Sequence, residues 1–312
     1  MSKKVAKWKT KEGRTVISAK VEGEVVSPAG HWYRGENCNF YPRKPDQYNM
    51  GWLWRNVVEG WQPPEPFVTK KTAIMPFGSC FANNIRSHLL KIGYNVSMQA
   101  KNISFFGSGM VNTYTIAQQF EWAFDGLDMA EKVWIPDLAK RPDLSEKNRS
   151  KTKSAFEDID LFVVTLGLSE VWYDKKTGTV FWRAVPAETF DPRHHGFRVT
   201  TVSENKSNIE RIVTFCKKAN PACRVVLTLS PVRMRATFRP VSAVTANSAS
   251  KAILRAAIDE YMREKEDPDV FYWPSYEILE AHDQRYLDDN SHPRPEIVQK
   301  IMRLFVRAYC KR

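Results

Sequence analysis

Ala73-Ile74-Met75-Pro76-Phe77-Gly78-Ser79-Cys80-Phe81-Ala82-Asn83-Asn84-Ile85 reads as a short buried strand running directly into a helix. Ala73 to Phe77 is apolar without a break, at strand length. Phe81, Ile85, Leu89 and Ile92 then recur at helical spacing until Gly93. Only Gly78-Ser79-Cys80 separates the two periods, so the turn between them is tight. Further along, Leu161-Phe162-Val163-Val164-Thr165-Leu166 is a continuous apolar run, the kind required by a strand covered on both faces, and Gly167 ends it. Strands are also predicted at Tyr94 to Met98, Arg224 to Leu229 and Val270 to Trp273. Helices are predicted over residues 111–124, around Ile209, Ile212, Val213 and Cys216, around Ile253 to Met262, and around Ile297, Ile301, Phe305 and Ala308. Strands that alternate with helices imply a parallel sheet between helical layers, because each parallel crossover needs a helix to return the chain. Ligands in such folds bind beyond the C-terminal ends of the strands.

Around this pattern lie less regular segments. Residues 136–154 are polar, charged and Pro-containing, which predicts a surface loop. Residues 172–198 hold Asp174-Lys175-Lys176-Thr177-Gly178 between aromatic runs and predict a hairpin inserted beside the sheet. The first 70 residues are rich in Lys, Trp, Pro and Gly, including His31-Trp32-Tyr33-Arg34-Gly35, without sustained periodicity. They predict an irregular N-terminal arm packed on a main α/β domain of residues 71–312.

Bulk properties narrow the function classes. A chain of 312 residues, 43% hydrophobic and 12% aromatic, can bury a sizeable core. It has no run of about 18 apolar residues, so no membrane span is expected, and the protein is expected to be soluble and cytoplasmic. The five cysteines are scattered and read as reduced thiols. A net charge of +12 predicts attraction to anions. The basic residues are dispersed and no RNA- or DNA-binding motif accompanies them, which argues against nucleic acid as partner. His194-His195 has no carboxylate-rich companion motif, so no metal is expected.

Two segments carry chemistry. A nucleophile in Gly78-Ser79-Cys80 would sit at a helix N-terminus, whose partial positive charge favours an anion and whose backbone N–H groups can face an oxyanion. Near the other end, Asp289 and His292 lie three residues apart in Asp289-Asn290-Ser291-His292, a spacing at which a carboxylate can hold an imidazole as a general base. Arg233, Arg235 and Arg239 follow the strand ending at Leu229, where guanidinium groups could hold a phosphate or carboxylate.

Together, in this order, these segments resemble the GSCFA family, whose signature is Gly78-Ser79-Cys80-Phe81-Ala82 and which is similar to the SGNH/GDSL hydrolases. The resemblance continues through Thr165 to Trp172, Phe181 to Pro186, His195 to Arg198, Leu229 to Val232 and Pro274 to Ile278. It implies a flavodoxin-like three-layer α/β/α sandwich with a mainly parallel central sheet and a site at its C-terminal edge. Laid on the first GDSL block, Gly78 takes the glycine, Ser79 the aspartate and Cys80 the nucleophile. His292 is then the base and Asp289 its orienter, with Ser79 the alternative nucleophile and Asp288 one residue out of spacing. The third block's asparagine falls on Ser169, beside Gly167, while Gly107 or Gly109 would supply a backbone oxyanion donor. Glu170, Trp172, His195, Ser230, Arg233 and Arg235 complete the expected substrate-binding set.

The resemblance implies an esterase or O-acyltransferase acting on an O-acyl group, expected to be acetyl, of a carbohydrate or glycan. No cofactor is required, and acyl-CoA is a candidate co-substrate. The alternative is a non-catalytic protein on the same scaffold that binds an acidic polysaccharide or other polyanion. The sequence leaves the oligomeric state open.

Overall fold

The computed structural model describes residues 9–11, 14–16, 19–21, 24–26, 39, 41–42, 44–97, 111–129, 144–182 and 184–311. The chain divides into two compact units, Met1–Gln47 and Tyr48–Arg312. In the first, β1 (Lys9–Lys11) pairs antiparallel with β2 (Arg14–Val16), and β3 (Ala19–Val21) with β4 (Glu24–Val26). The expectation of a wholly irregular arm is corrected by these two short pairings, too brief to register as periodicity. The boundary also moves. Trp52, Leu53, Val58 and Val68 are buried in the core of the second unit, which therefore begins at Tyr48 rather than residue 71.

The second unit is built on a parallel sheet of β5 (Ile74–Gly78), β6 (Leu161–Leu166), β9 (Arg224–Leu229) and β10 (Val270–Tyr272), in the spatial order β10-β9-β6-β5. Val96 adds one parallel bridge to Ile74. Counted with it, the chain runs across the sheet in the flavodoxin-like order 2-1-3-4-5, whose switch point lies between β5 and β6. Ile74 exchanges hydrogen bonds with Asn95 and Ser97 on the outer side of β5. Pro76, two residues on, directs its missing N–H to that same side, so a proline stands in β5 without interrupting the ladder to β6.

Both faces of the sheet are covered, and the side chains alternate between them as a pleated strand requires. Met75, Phe77, Phe162, Val164, Leu166, Val225, Leu227 and Leu229 pack under α3 (Thr113–Asp125), α4 (Glu146–Glu157), α5 (Val202–Ala219) and α6 (Ala243–Lys265). Ile74, Leu161, Val163 and Val226 pack against α2 (Phe81–Lys91), α7 (Ser275–Glu280), α8 (Pro295–Tyr309) and the turn of α1 (Met50–Leu53) that continues as a π-helix to Val58. The three-layer sandwich is therefore as expected.

Two segments differ from the sequence reading. Part of the expected loop at 136–154 is the helix α4, capped by the Ser145 side chain and anchored by the buried Phe156. Its exposed Lys, Arg and Glu side chains conceal the helical period, and residues 136–143 lie outside the described residues. The expected hairpin is present, with β7 (Glu170–Asp174) antiparallel to β8 (His195–Val199). Among the described residues no helix is long and apolar enough to cross a membrane.

Candidate active site

The turn after β5 is dictated by Gly78. Its φ is +118°, and a Cβ there would lie 2.3 Å from the Thr165 carbonyl oxygen of β6. Only glycine allows the two strands to approach this closely at the switch point. Ser79 N–H then donates to that same carbonyl at 2.9 Å, and Ser79 Oγ lies 2.9 Å from Thr165 Oγ1 and accepts from Phe81 N–H at 3.3 Å. Ser79 is thus buried and engaged, whereas the next side chain, Cys80, is exposed at the N-terminus of α2. The Cys80 N–H makes no hydrogen bond with the other described residues. Gly78→Ala is expected to destabilise the protein by about 3 kcal/mol, through both the positive φ and the clash. Urea unfolding of the two proteins measures this.

The loop before α8 presents the imidazole. His292 Nδ1 lies 2.5 Å from Asp289 Oδ2, and Asp289 Oδ1 accepts from the N–H groups of Ser291 and His292, both at 2.9 Å. The His292 side chain first, then these backbone donors, hold the Asp289 carboxyl far below the usual carboxylate range. Asn290 adopts φ +50°, a left-handed conformation that asparagine tolerates. Arg233, expected among the substrate-binding residues, lines the cleft and also braces this loop. Its Nη1 donates to Asn290 Oδ1 at 2.6 Å, its N–H donates to the Ser291 carbonyl at 3.1 Å, and its guanidinium lies 3.7 Å from the Tyr286 ring centre. Ser291 Oγ returns a hydrogen bond to the Arg233 carbonyl at 2.9 Å.

A cleft of about 630 Å³ opens where these two segments meet. It is lined by Ser79, Cys80, Gly167, Ser230, Arg233, Arg235 and His292, with Val111, Leu168, Val232, Met234 and Ser291. The sheet's switch point therefore brings Cys80 and the Asp289–His292 pair together from opposite ends of the unit. The thiol and the imidazole line one cleft without being hydrogen-bonded to each other. Arg235 is exposed in that cleft and forms no ion pair with the described residues.

Other expected residues lie elsewhere. Ser169 is fully buried and outside the cleft lining; its N–H donates to Ser250 Oγ at 2.8 Å, while its own Oγ has no hydrogen-bond partner among the described residues. The N–H of Gly167 is also committed, since Gly167 and Leu168 both donate to the Val111 carbonyl at 2.8 Å. Glu170 accepts from Thr237 Oγ1 at 2.8 Å, and Trp172 packs among Phe190, Phe197 and Phe238. His195 Nδ1 accepts from Asp191 N–H at 2.9 Å within the hairpin. None of these three lines the cleft, because the β7–β8 pair carries them away from the strand ends. Gly107 and Gly109 lie outside the described residues. No cluster of three or more metal-ligating side chains occurs among the described residues.

Sequence reading overlooked a polar face on the first half of α6. Asn247, Ser250 and Lys251 stand at i, i+3 and i+4, hence on one face. Asn247 Oδ1 accepts from Met234 N–H at 3.1 Å and Ser250 serves Ser169, while Lys251 Nζ donates to three carbonyls beneath the cleft. The signal available was a Lys and a Ser directly before the apolar stripe beginning at Ile253.

The described strands thus form a parallel α/β/α sandwich of flavodoxin-like order, with a cleft beyond the strand ends at the switch point. The chain belongs to the GSCFA family, whose model matches residues 73–305. No curated protein sequence matches it. Among solved structures it is similar to a protein described as a GDSL-like lipase from Parabacteroides merdae, at 13% identity over 78% of this chain and 98% of that one, with a TM-score of 0.42. It is also similar to an acetyl xylan esterase from the rumen bacterium Butyrivibrio proteoclasticus, at 12% identity over 78% and 63% of the two chains, with a TM-score of 0.36. A carbohydrate esterase family 3 protein from Talaromyces cellulolyticus matches at 11% identity over 77% and 94%, with a TM-score of 0.34.

Proposed function

We propose that this protein is an acyl-ester enzyme of SGNH type in which Cys80 is the nucleophile, His292 the general base and Asp289 its orienter. It acts on an O-acyl group, most simply acetyl, of a carbohydrate or glycan. The observation that carries the reading is the shared cleft, in which an exposed thiol at a helix N-terminus meets an imidazole already held by a carboxylate. Ser79 is the weaker candidate because its hydroxyl is buried against Thr165.

In this mechanism His292 takes the Cys80 proton as sulfur attacks the acyl carbonyl carbon. The Cys80 N–H faces the developing oxyanion. The ester C–O bond then breaks, the departing alcohol takes the proton from the imidazolium, and the acyl group remains on Cys80 as a thioester. Water or a second alcohol, deprotonated by His292, attacks the thioester, and the C–S bond breaks with return of the proton to sulfur. Water gives an esterase and a sugar hydroxyl gives an O-acyltransferase. Arg235, which forms no ion pair with the described residues, favours an anionic substrate or a phosphorylated donor such as acyl-CoA.

The second reading, a non-catalytic binder of polyanions, is favoured by one observation: the backbone N–H groups of Ser169 and Gly167 are committed to other acceptors. Acetate release from acetylated oligosaccharides and acetyl transfer from acetyl-CoA to the deacetylated sugars separate these possibilities. Turnover in either assay that is lost in Cys80→Ala supports the enzyme. No turnover in either, together with retention on an immobilised acidic polysaccharide, replaces it with the binder.

A further inference from the structure

Lys251 is 2% exposed, and among the described residues no carboxylate lies within ion-pairing distance of it. An unpaired buried ammonium is costly unless its donors are satisfied. Here Nζ donates to the carbonyls of Gly167 at 3.1 Å, Ser230 at 2.7 Å and Val232 at 2.9 Å. Three acceptors match the three N–H bonds of an ammonium, whereas a neutral amine has only two to give. Burial pulls the group down to about 7, while Cys80 and Glu280 favour its charged form. Among the described residues the Tyr276 ring also faces it, at 6.0 Å.

The three carbonyls belong to both halves of the site. Gly167 follows β6, and a Cβ placed on it would lie 3.3 Å from Ser79 Cβ, so it abuts the nucleophile turn. Ser230 follows β9. The peptide joining Val232 to Arg233 accepts from Lys251 through its carbonyl and donates through its N–H to Ser291, the residue before His292. All three acceptors are neutral, so the field of the ammonium is not cancelled by an ion pair before it reaches the cleft.

We infer that Lys251 is a positioning residue, whose buried ammonium fixes the cleft floor between the Cys80 turn and the His292 loop and favours negative charge on Cys80. The inference rests on Cys80 being the nucleophile, but its readout needs no turnover. Alkylation of Cys80 by iodoacetamide, followed by peptide mapping of the folded protein, measures it.

At about pH 7, Lys251→Gln and Lys251→Met are expected to slow alkylation about tenfold. Lys251→Arg restores most of the rate, and at about pH 10 all the proteins react alike. Rates in the neutral variants equal to or above wild type at both pH values, with no distinction between Arg and Gln, would overturn the inference in favour of a purely structural lysine. Should the neutral variants fail to fold, the Arg235→Gln protein provides the test. Its Cys80 is expected to prefer anionic iodoacetate over iodoacetamide several-fold more than the free peptide Gly-Ser-Cys-Phe-Ala does, and an equal or lower preference overturns the inference. If acyl turnover is absent while this reactivity pattern holds, the enzyme reading fails and the role of Lys251 stands.

Discussion

Cys80→Ala is expected to abolish acyl transfer and hydrolysis, lowering kcat by about 10⁴-fold or more, the scale on which enzymes lose a nucleophile. Stability should change little, because the Cys80 side chain is exposed and the turn is held by Gly78, Ser79 and Thr165. Cys80→Ser should retain a small fraction of the activity, since a hydroxyl is the weaker nucleophile at neutral pH. Ser79→Ala should behave in the opposite way. It removes the hydroxyl bound to Thr165 and Phe81, so it costs about 1 kcal/mol of stability and leaves the acyl acceptor in place. Steady-state rates and thermal melting of the three proteins distinguish these outcomes, and activity lost in Ser79→Ala but kept in Cys80→Ala would reverse the assignment.

The second large effect falls on the base. His292→Gln is expected to lower kcat by about 10³- to 10⁴-fold with little change in KM, since the imidazole acts in proton transfer rather than in uniform binding. Asp289→Asn should cost somewhat less, about 10²- to 10³-fold, because water reaches this pair, whose side chains are 38% and 42% exposed. The carboxyl is held so far below its usual range that Asp289 stays an anion throughout neutral and mildly acidic pH. A pH–rate profile over that range should therefore carry no ionisation from Asp289. The loop itself should survive both substitutions, because Arg233, Ser291 and Tyr286 brace it independently of the imidazole.

Much of this arrangement is legible in the sequence where local and tertiary demands coincide. The strand at 74–78, the helix at 81–91 and the apolar runs at 161–166 and 224–229 announce a doubly covered parallel sheet, because such strands must be apolar on both faces. That pattern in turn locates the site beyond the strand ends, with Cys80 on one side and His292 on the other. Residues whose roles depend on a distant partner were not legible. Arg233 reads as a free cation until Tyr286 and Asn290 are placed beside it. Lys251 carries no signal in the sequence beyond its place before the apolar stripe at Ile253, and its role appears only when the helix is seen to lay it beneath three carbonyls. Glu170 and Trp172 stand near cleft-lining residues in sequence, but with His195 they belong to the antiparallel hairpin and lie outside the cleft lining. The helix at 146–157 is hidden by its charged surface, since only Asn148, Thr152, Ala155 and Phe156 of its residues are buried.

Intact-mass spectrometry after incubation with p-nitrophenyl acetate, and separately with acetyl-CoA, tests the central claim most directly. The account predicts one acetyl adduct per chain, mapped to Cys80, absent in Cys80→Ala, present in Ser79→Ala and accumulating when His292 is replaced after acylation has been forced with excess activated ester. An adduct on Ser79, or no adduct and no turnover from either donor, would contradict it.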